Sequence, residues 1–393
     1  MISYYNHLNY DKYLISNQMK ANNWIYAVLV SAFVIVGCAK KEVSEAIKQE
    51  GVGGKLRLIS WSEYFDPEVF KAFTNETGIE VDYVTFEDPD ELEARLASEP
   101  GAFDVVVTDD LSINRLAQLH LLQPLDKAAL PHAKNIAREY MGKAFDPGNE
   151  VSLPYLWGTT LIAFRADKIE DPGKSWKALW NEEYSGRVMI FGDRTEGLGI
   201  GLIASQLPIN SSEPKQLNVA ADALLDAIKN VGMKFGSDAT VRDGLKSGDI
   251  WIASCYSGDA AMVAEDNENV SFFIPKEGAP LWMDNFSISS DARNVAAAHA
   301  LIDYMLRPEP AAMNANFTWY GSTNRAAKQF ISEELLADES VNPSAEVRAK
   351  CQFYYKPDTH REILLNTAWG RVQEALRLRN KNSKAVAENI GIE

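Results

Sequence analysis

The sequence predicts an α/β protein built on parallel sheets, and three observations carry that expectation. Short β-rich runs alternate with amphipathic helical patterns. The run Phe103-Asp104-Val105-Val106-Val107-Thr108 is apolar in the continuous manner of a strand buried on both faces. A second alternation follows Pro154-Tyr155-Leu156-Trp157-Gly158-Thr159-Thr160, and 393 residues leave room for two domains, each with its own core.

In order, Lys55–Ser60 reads as a strand and Pro67–Thr77 as a helix ended by Gly78. Ile79–Phe86 is the next strand. Pro89–Ser98 is a helix with Leu92 and Leu96 on one face and Glu91 and Arg95 spaced to pair, before the Phe103 strand. Strand–helix–strand–helix–strand implies parallel pairing with right-handed crossovers, and ligands of such sheets sit at the carboxyl ends of the strands. Those ends are Ser60-Trp61-Ser62-Glu63-Tyr64, Phe86-Glu87-Asp88 and Thr108-Asp109-Asp110. They are acidic and aromatic, and none carries a glycine-rich phosphate loop. Farther on, strands are expected at Leu161–Arg165, Val188–Phe191, Ile250–Cys255 and Val270–Phe273. Helices are expected at Trp176–Trp180, Gly199–Leu207, Val219–Asn230 and Thr240–Lys246, then at Asn294–Leu306, where Pro308 stops the run.

The N-terminal region reads as an export signal. Met19-Lys20 precedes an apolar run from Ile25 to Val36 that is short for a bilayer span, then Gly37-Cys38. Ile35-Val36-Gly37-Cys38 resembles a bacterial lipobox, which implies lipidation of Cys38; an uncleaved signal anchor is the alternative. Residues 1–18 read as an over-called start, 1–37 as the signal and 38–54 as a polar tether too poor in apolar residues to bury a core.

The formal charge is −16, and residues 1–37 hold Lys12 and Lys20 against Asp11, so the chain from Cys38 onward carries −17. Such a chain repels nucleic acid and attracts cations. Cys255 and Cys351 fit no metal or redox spacing and are expected as unpaired thiols. The five histidines are scattered. Asp193 with Glu196, or Asp109 with Asp110, are paired carboxylates of the type that serves general acid–base chemistry. Nothing beside them resembles an activated nucleophile or a metal cluster, so the expectation is binding without catalysis, cofactor or metal.

From about Leu58 to Arg371 the order and spacing of several stretches resemble the spermidine/putrescine-binding proteins of ABC importers. They include Trp61-Ser62-Glu63-Tyr64, Phe145-Asp146-Pro147, Pro154-Tyr155-Leu156-Trp157-Gly158, Tyr256-Ser257-Gly258-Asp259, Trp282-Met283-Asp284 and Leu306-Arg307-Pro308. The resemblance implies a two-lobed periplasmic-binding-protein fold, each lobe a central, mostly parallel sheet flanked by helices, with crossing hinge segments. It places lobe one at 55–158 plus 284–328 and lobe two at 159–283 plus 329–393.

A polyamine needs a carboxylate for each ammonium and aromatic faces along its methylenes. The resemblance implies both. Trp61 and Tyr64, with Ser62 between them, match the aromatic pair of lobe one, and Asp193 with Glu196 matches the acidic pair of lobe two. Tyr256, Asp259, Trp282, Asp284 and Tyr320 match further ligand positions. Asp109 stands where the family has a serine, which would add an acceptor. Trp157, Trp176, Trp180, Trp251 and Trp369 are expected in packing roles. The implied partners are a polyamine and an ABC permease, or a membrane signalling receptor, with the protein monomeric in the periplasm or on the outer cell surface. Ferric ion is a rival ligand, since Tyr354-Tyr355 is an adjacent tyrosine pair; packing is its expected role.

Overall fold

The computed structural model describes residues 54–389, with side chains through Lys381. The segments expected as export signal and tether, with Cys38, lie outside the described residues, apart from Gly54. By the density of its contacts the chain forms two units. One contains Phe70–Val81, where Thr77 Oγ1 donates to the Phe73 carbonyl and Gly78, at φ 75°, ends the helix. The other is Leu56–Val69 with Asp82–Glu393, and it contains every site residue discussed below.

Strand β1 spans Lys55–Ser60, β2 Glu80–Thr85 and β3 Val105–Asp109, with helices α1 Pro67–Thr77 and α2 Pro89–Ser98 between them. Helix α3, Asp110–Gln118, follows β3 without a break. Strand β4, Ser152–Arg165, is far longer than a typical strand. It is followed by β5 Val188–Phe191, α4 Arg194–Ala204, α5 Pro214–Asp226, β6 Lys234–Gly236, α6 Asp238–Ser247, β7 Ile252–Tyr256, α7 Ser257–Asp266, β8 Val270–Phe273 and β9 Pro280–Ile288. Helices α8 Val295–Met305 and α9 Pro308–Thr318 lead to the short β10 Gly321–Ser322; β11, Gln352–Phe353, precedes the long α10, Thr359–Asn389.

From β1 the strands lie in the order β1-β3-β9-β4-β7-β5-β6. The pairs β1·β3, β5·β6 and β5·β7 are parallel, as the crossover pattern requires. The pairs β3·β9, β4·β9 and β4·β7 are antiparallel. Strand β4 changes partner midway: Ser152–Thr159 pairs with β9, and Thr160–Phe164 pairs with β7. Pro154 sits at the register shift between Pro154 and Trp157, where its missing N–H is tolerated. The sequence pattern places a strand only at Leu161–Arg165, the second half of β4, and assigns no element to Pro154–Thr160.

Two apolar clusters pack on the β5–β7 part of the sheet. One gathers Trp176, Leu198, Leu202, Leu224, Trp369 and Val372 beneath α4, α5 and α10. The other gathers Leu161, Val241, Leu245 and Val263 beneath α6 and α7. A third, with Ile59, Phe86, Leu92, Val106 and Ile113, backs the β1–β3 part. Trp157, Trp176 and Trp369 are buried, and Trp180 and Trp251 are half-buried, all in packing positions. Cys255 and Cys351 are free thiols. Helix α4 begins earlier than its apolar run, because Asp193 caps it at the amino end. Trp176–Trp180 is a 3₁₀ turn capped by Ser175.

Candidate functional site

The chain leaves β1 through Trp61-Ser62-Glu63-Tyr64, and Glu63 adopts φ 53°, a left-handed conformation that turns the loop sharply. Trp61 Nε1 donates to Asp284 Oδ1 at 3.3 Å, and the Tyr64 hydroxyl donates to Asp284 Oδ2. Tyr64 is buried with its ring against Tyr155 and Tyr320, whereas Ser62 is exposed on the loop.

Asp284 lies on β9 directly opposite Asp109 on β3. Two like charges facing across an antiparallel ladder repel, and burial compounds the cost. Burial first, then the charge of Asp109, pushes the Asp284 carboxyl up to about 7, with the Tyr64 and Trp61 hydrogen bonds opposing. Asp109 also caps α3. Its Oδ1 accepts from the Ser112 amide at 2.9 Å and its Oδ2 from the Ser112 hydroxyl at 2.5 Å. Its acceptors are thus engaged within the protein while its charge still acts on the neighbours. Asp110, which the sequence reading did not single out as a ligand residue, is buried beside it. Desolvation, then Asp109 and Asp284, push its carboxyl well above the usual range. Consecutive aspartates at a strand-to-helix junction were the signal for it, because a cap needs only one of them.

A second acidic group sits at the start of α4. Asp193, exposed, accepts from the Glu196 amide at 2.8 Å. Glu196 is buried, its Oε1 accepting from Thr160 Oγ1 at 3.1 Å and its carboxyl lying against the Tyr354 hydroxyl. Burial and the Asp193 charge push Glu196 up to about 8. Each carboxylate of this pair therefore spends one oxygen internally, which the i,i+3 spacing alone did not reveal. Tyr354 belongs to the core and Tyr355 is exposed. Among the described residues no group of three or more His, Cys, Asp or Glu is placed to hold a metal.

Aromatic rings run between the acidic groups. Tyr256 stacks on Phe191 at 4.4 Å and meets the edge of Trp282 at 5.9 Å. Trp282 stands perpendicular to Tyr320 at 4.7 Å, and Tyr320 lies 5.9 Å from Tyr64. Two glycines make this close packing possible. A Cβ at Gly158 would fall 2.3 Å from the Trp282 ring, and one at Gly258 would fall 2.4 Å from the Tyr320 ring.

Asp259, on the first turn of α7, is buried and already paired: Arg242 Nη1 donates to its Oδ1 at 3.1 Å. Burial pushes Asp259 up to about 6, with Arg242 opposing. The sequence reading did not foresee Arg242, since a basic residue in the middle of an amphipathic helix normally reads as surface. Asp284, Asp259 and Glu196 thus lie near one row of rings, Tyr64, Tyr320, Trp282 and Tyr256, with Asp110 and Arg242 beside it, whereas Ser62 and Asp193 are exposed.

Residues 68–343 match the family of bacterial extracellular solute-binding proteins, well over half the chain. The chain belongs to that family. A spermidine/putrescine-binding periplasmic protein of Escherichia coli is 31% identical over 293 residues, 74% of this chain and 84% of its own. The putrescine-binding periplasmic protein PotF of the same organism is 31% identical over 338 residues, 81% and 91% of the two chains. Among solved structures, the spermidine/putrescine ABC-transporter substrate-binding protein PotD of Streptococcus pneumoniae superposes with a TM-score of 0.75 at 31% identity. It covers 82% of this chain and 99% of its own. The fold is accordingly that of the two-lobed periplasmic solute-binding proteins, and the family's work is solute transport.

Proposed function

We propose that this solute-binding protein captures a polyamine between its lobes and delivers it to an ABC importer. The observation that carries the reading is the trio Asp109, Asp110 and Asp284, the first half-buried and the other two buried, none of which forms an ion pair with a lysine or arginine among the described residues. Buried carboxylates without a partner are costly, and a ligand ammonium supplies the missing charge. The neighbouring rings of Trp61, Tyr64, Trp282, Tyr320 and Tyr256 offer apolar faces to methylenes and about 0.5–2 kcal/mol of cation–π attraction per well-placed ring. The reading is one of binding without chemistry.

In this account the lobes are 55–158 plus 284–328 and 159–283 plus 329–393. The change of partner along β4 between Thr159 and Thr160 supports a crossing there. Ser62, Asp193 and Glu196 belong to the ligand surface, with Asp259 partly masked by Arg242. The protein is exported, lipid-anchored at Cys38 to a membrane facing the periplasm or cell exterior, and works as a monomer whose closed form the permease reads.

Titration calorimetry of the full-length chain in detergent, unfolded and refolded to strip carried ligand, tests this with putrescine, cadaverine, norspermidine, spermidine and spermine. Saturable one-to-one binding at about −8 kcal/mol or better is expected for at least one. Absence of binding to all five would remove the polyamine reading.

A further inference from the structure

Three groups of carboxylates surround the aromatic row, and among the described residues only one of them holds a basic side chain in an ion pair. Asp109, Asp110 and Asp284 form the first, and among the described residues no lysine or arginine forms an ion pair with Asp110 or Asp284 or ranks among the charges that shift them. Asp193 and Glu196 form the second; the charge of the adjacent Arg194 acts on Asp193, but its ion pair is with Glu362, at 2.5 Å. The third is Glu63, Asp238 and Asp259, and its cation is Arg242. The guanidinium lies 3.1 Å from Asp259 and 4.0 Å from Asp238, and the Glu63 charge also acts on it.

This arrangement is not an anion site, because three carboxylates against one guanidinium leave the group negative. Nor is it open to an incoming ammonium. Arginine stays charged at any physiological pH and its fork holds carboxylates in fixed geometry, so a ligand cation must displace it or lie beside a like charge. Tyr320, a member of the aromatic row, feels both Asp259 and Arg242, which sets the pair at the ligand row instead of on a remote surface.

We propose that Arg242 is a specificity-determining residue whose guanidinium fills the third cationic position, so that the cleft prefers a short diamine to a triamine. The inference rests on the polyamine reading above and names the ligand class within it. Two acidic groups remain without an ion-paired basic side chain among the described residues, one for each ammonium of a diamine. Freeing Asp259 opens a third.

The test is titration of putrescine and spermidine into the full-length wild-type chain and into Arg242→Met, Arg242→Gln and Arg242→Lys, each checked for a cooperative thermal melt. Wild type should favour putrescine. Arg242→Met should shift the spermidine-to-putrescine affinity ratio toward spermidine by about tenfold or more, whereas Arg242→Lys should keep the wild-type preference. Arg242→Gln gives the same reading where the methionine variant does not fold. An unchanged ratio in a folded, uncharged variant overturns the proposal while leaving polyamine binding intact. A wild type that binds neither amine overturns the functional reading itself.

Discussion

Asp284 on β9 lies directly opposite Asp109 on β3, and the Trp61 and Tyr64 side chains hold the Asp284 carboxylate in place. An antiparallel ladder ordinarily avoids facing like charges. Here the cost is compounded by Asp110, buried next to both. The free protein reduces it by holding protons, and in the account above a ligand reduces it with ammonium groups.

Proton release on binding follows. Asp284 is pushed up to about 7 and Glu196 up to about 8, both mainly by burial, so each is substantially protonated in the free protein at neutral pH. An ammonium favours the ionised form. Putrescine should therefore bind more tightly at pH 8 than at pH 6. Calorimetry at pH 7 in buffers of different ionisation enthalpy should report net proton release. Equal apparent enthalpies in all buffers would contradict this.

The same shifts give the free protein an unusual stability profile. These carboxyls are raised above their unfolded values near 4, so between about pH 4 and pH 8 the folded state binds more protons than the unfolded state. The stability they contribute is fully present below about pH 4 and is lost as pH rises through 7 and 8. The Glu196→Gln variant removes one of these groups and should flatten the fall in melting temperature between pH 5 and pH 8. Saturating putrescine should flatten it as well. A profile unaltered by either would count against the assignment.

Gly158→Ala probes the aromatic row. The added methyl would lie 2.3 Å from the Trp282 ring and 2.9 Å from Ser257 Oγ, so the ring must move. Overpacking of this kind costs about 1–3 kcal/mol of stability. Ligand affinity should fall in the same variant, read by thermal melting and titration together. Wild-type affinity would show that Trp282 is not a ligand face.

Much of this was legible in the sequence, and the remainder was hidden for physical reasons. The β3 strand announced itself by its unbroken apolar run, and Pro89–Ser98 by its capping Asp88 and paired leucines. The sequence pattern assigns no element to the first half of β4, where Pro154 and Gly158 weaken a strand pattern, yet the proline sits at a register shift and the glycine admits the Trp282 ring. Resemblance located Trp61, Tyr64, Trp282 and Asp284. It could not show that Asp109 caps α3 while Asp110 is the more deeply buried of the two. The Arg242–Asp259 pair joins two helices, α6 and α7, and only the packing of those helices brings the residues together.

The most direct measurement compares putrescine binding to the wild type and to Asp284→Asn by titration calorimetry of the full-length chain. Asparagine keeps the shape and one of the two acceptors that Trp61 and Tyr64 use, and removes the charge that pairs with an ammonium. The account predicts saturable one-to-one binding to the wild type and a loss of about 2–5 kcal/mol in the variant, the range for stripping one partner from a buried charged pair. Near-equal affinity in the two proteins would contradict it and move the cation site away from the β3–β9 pair.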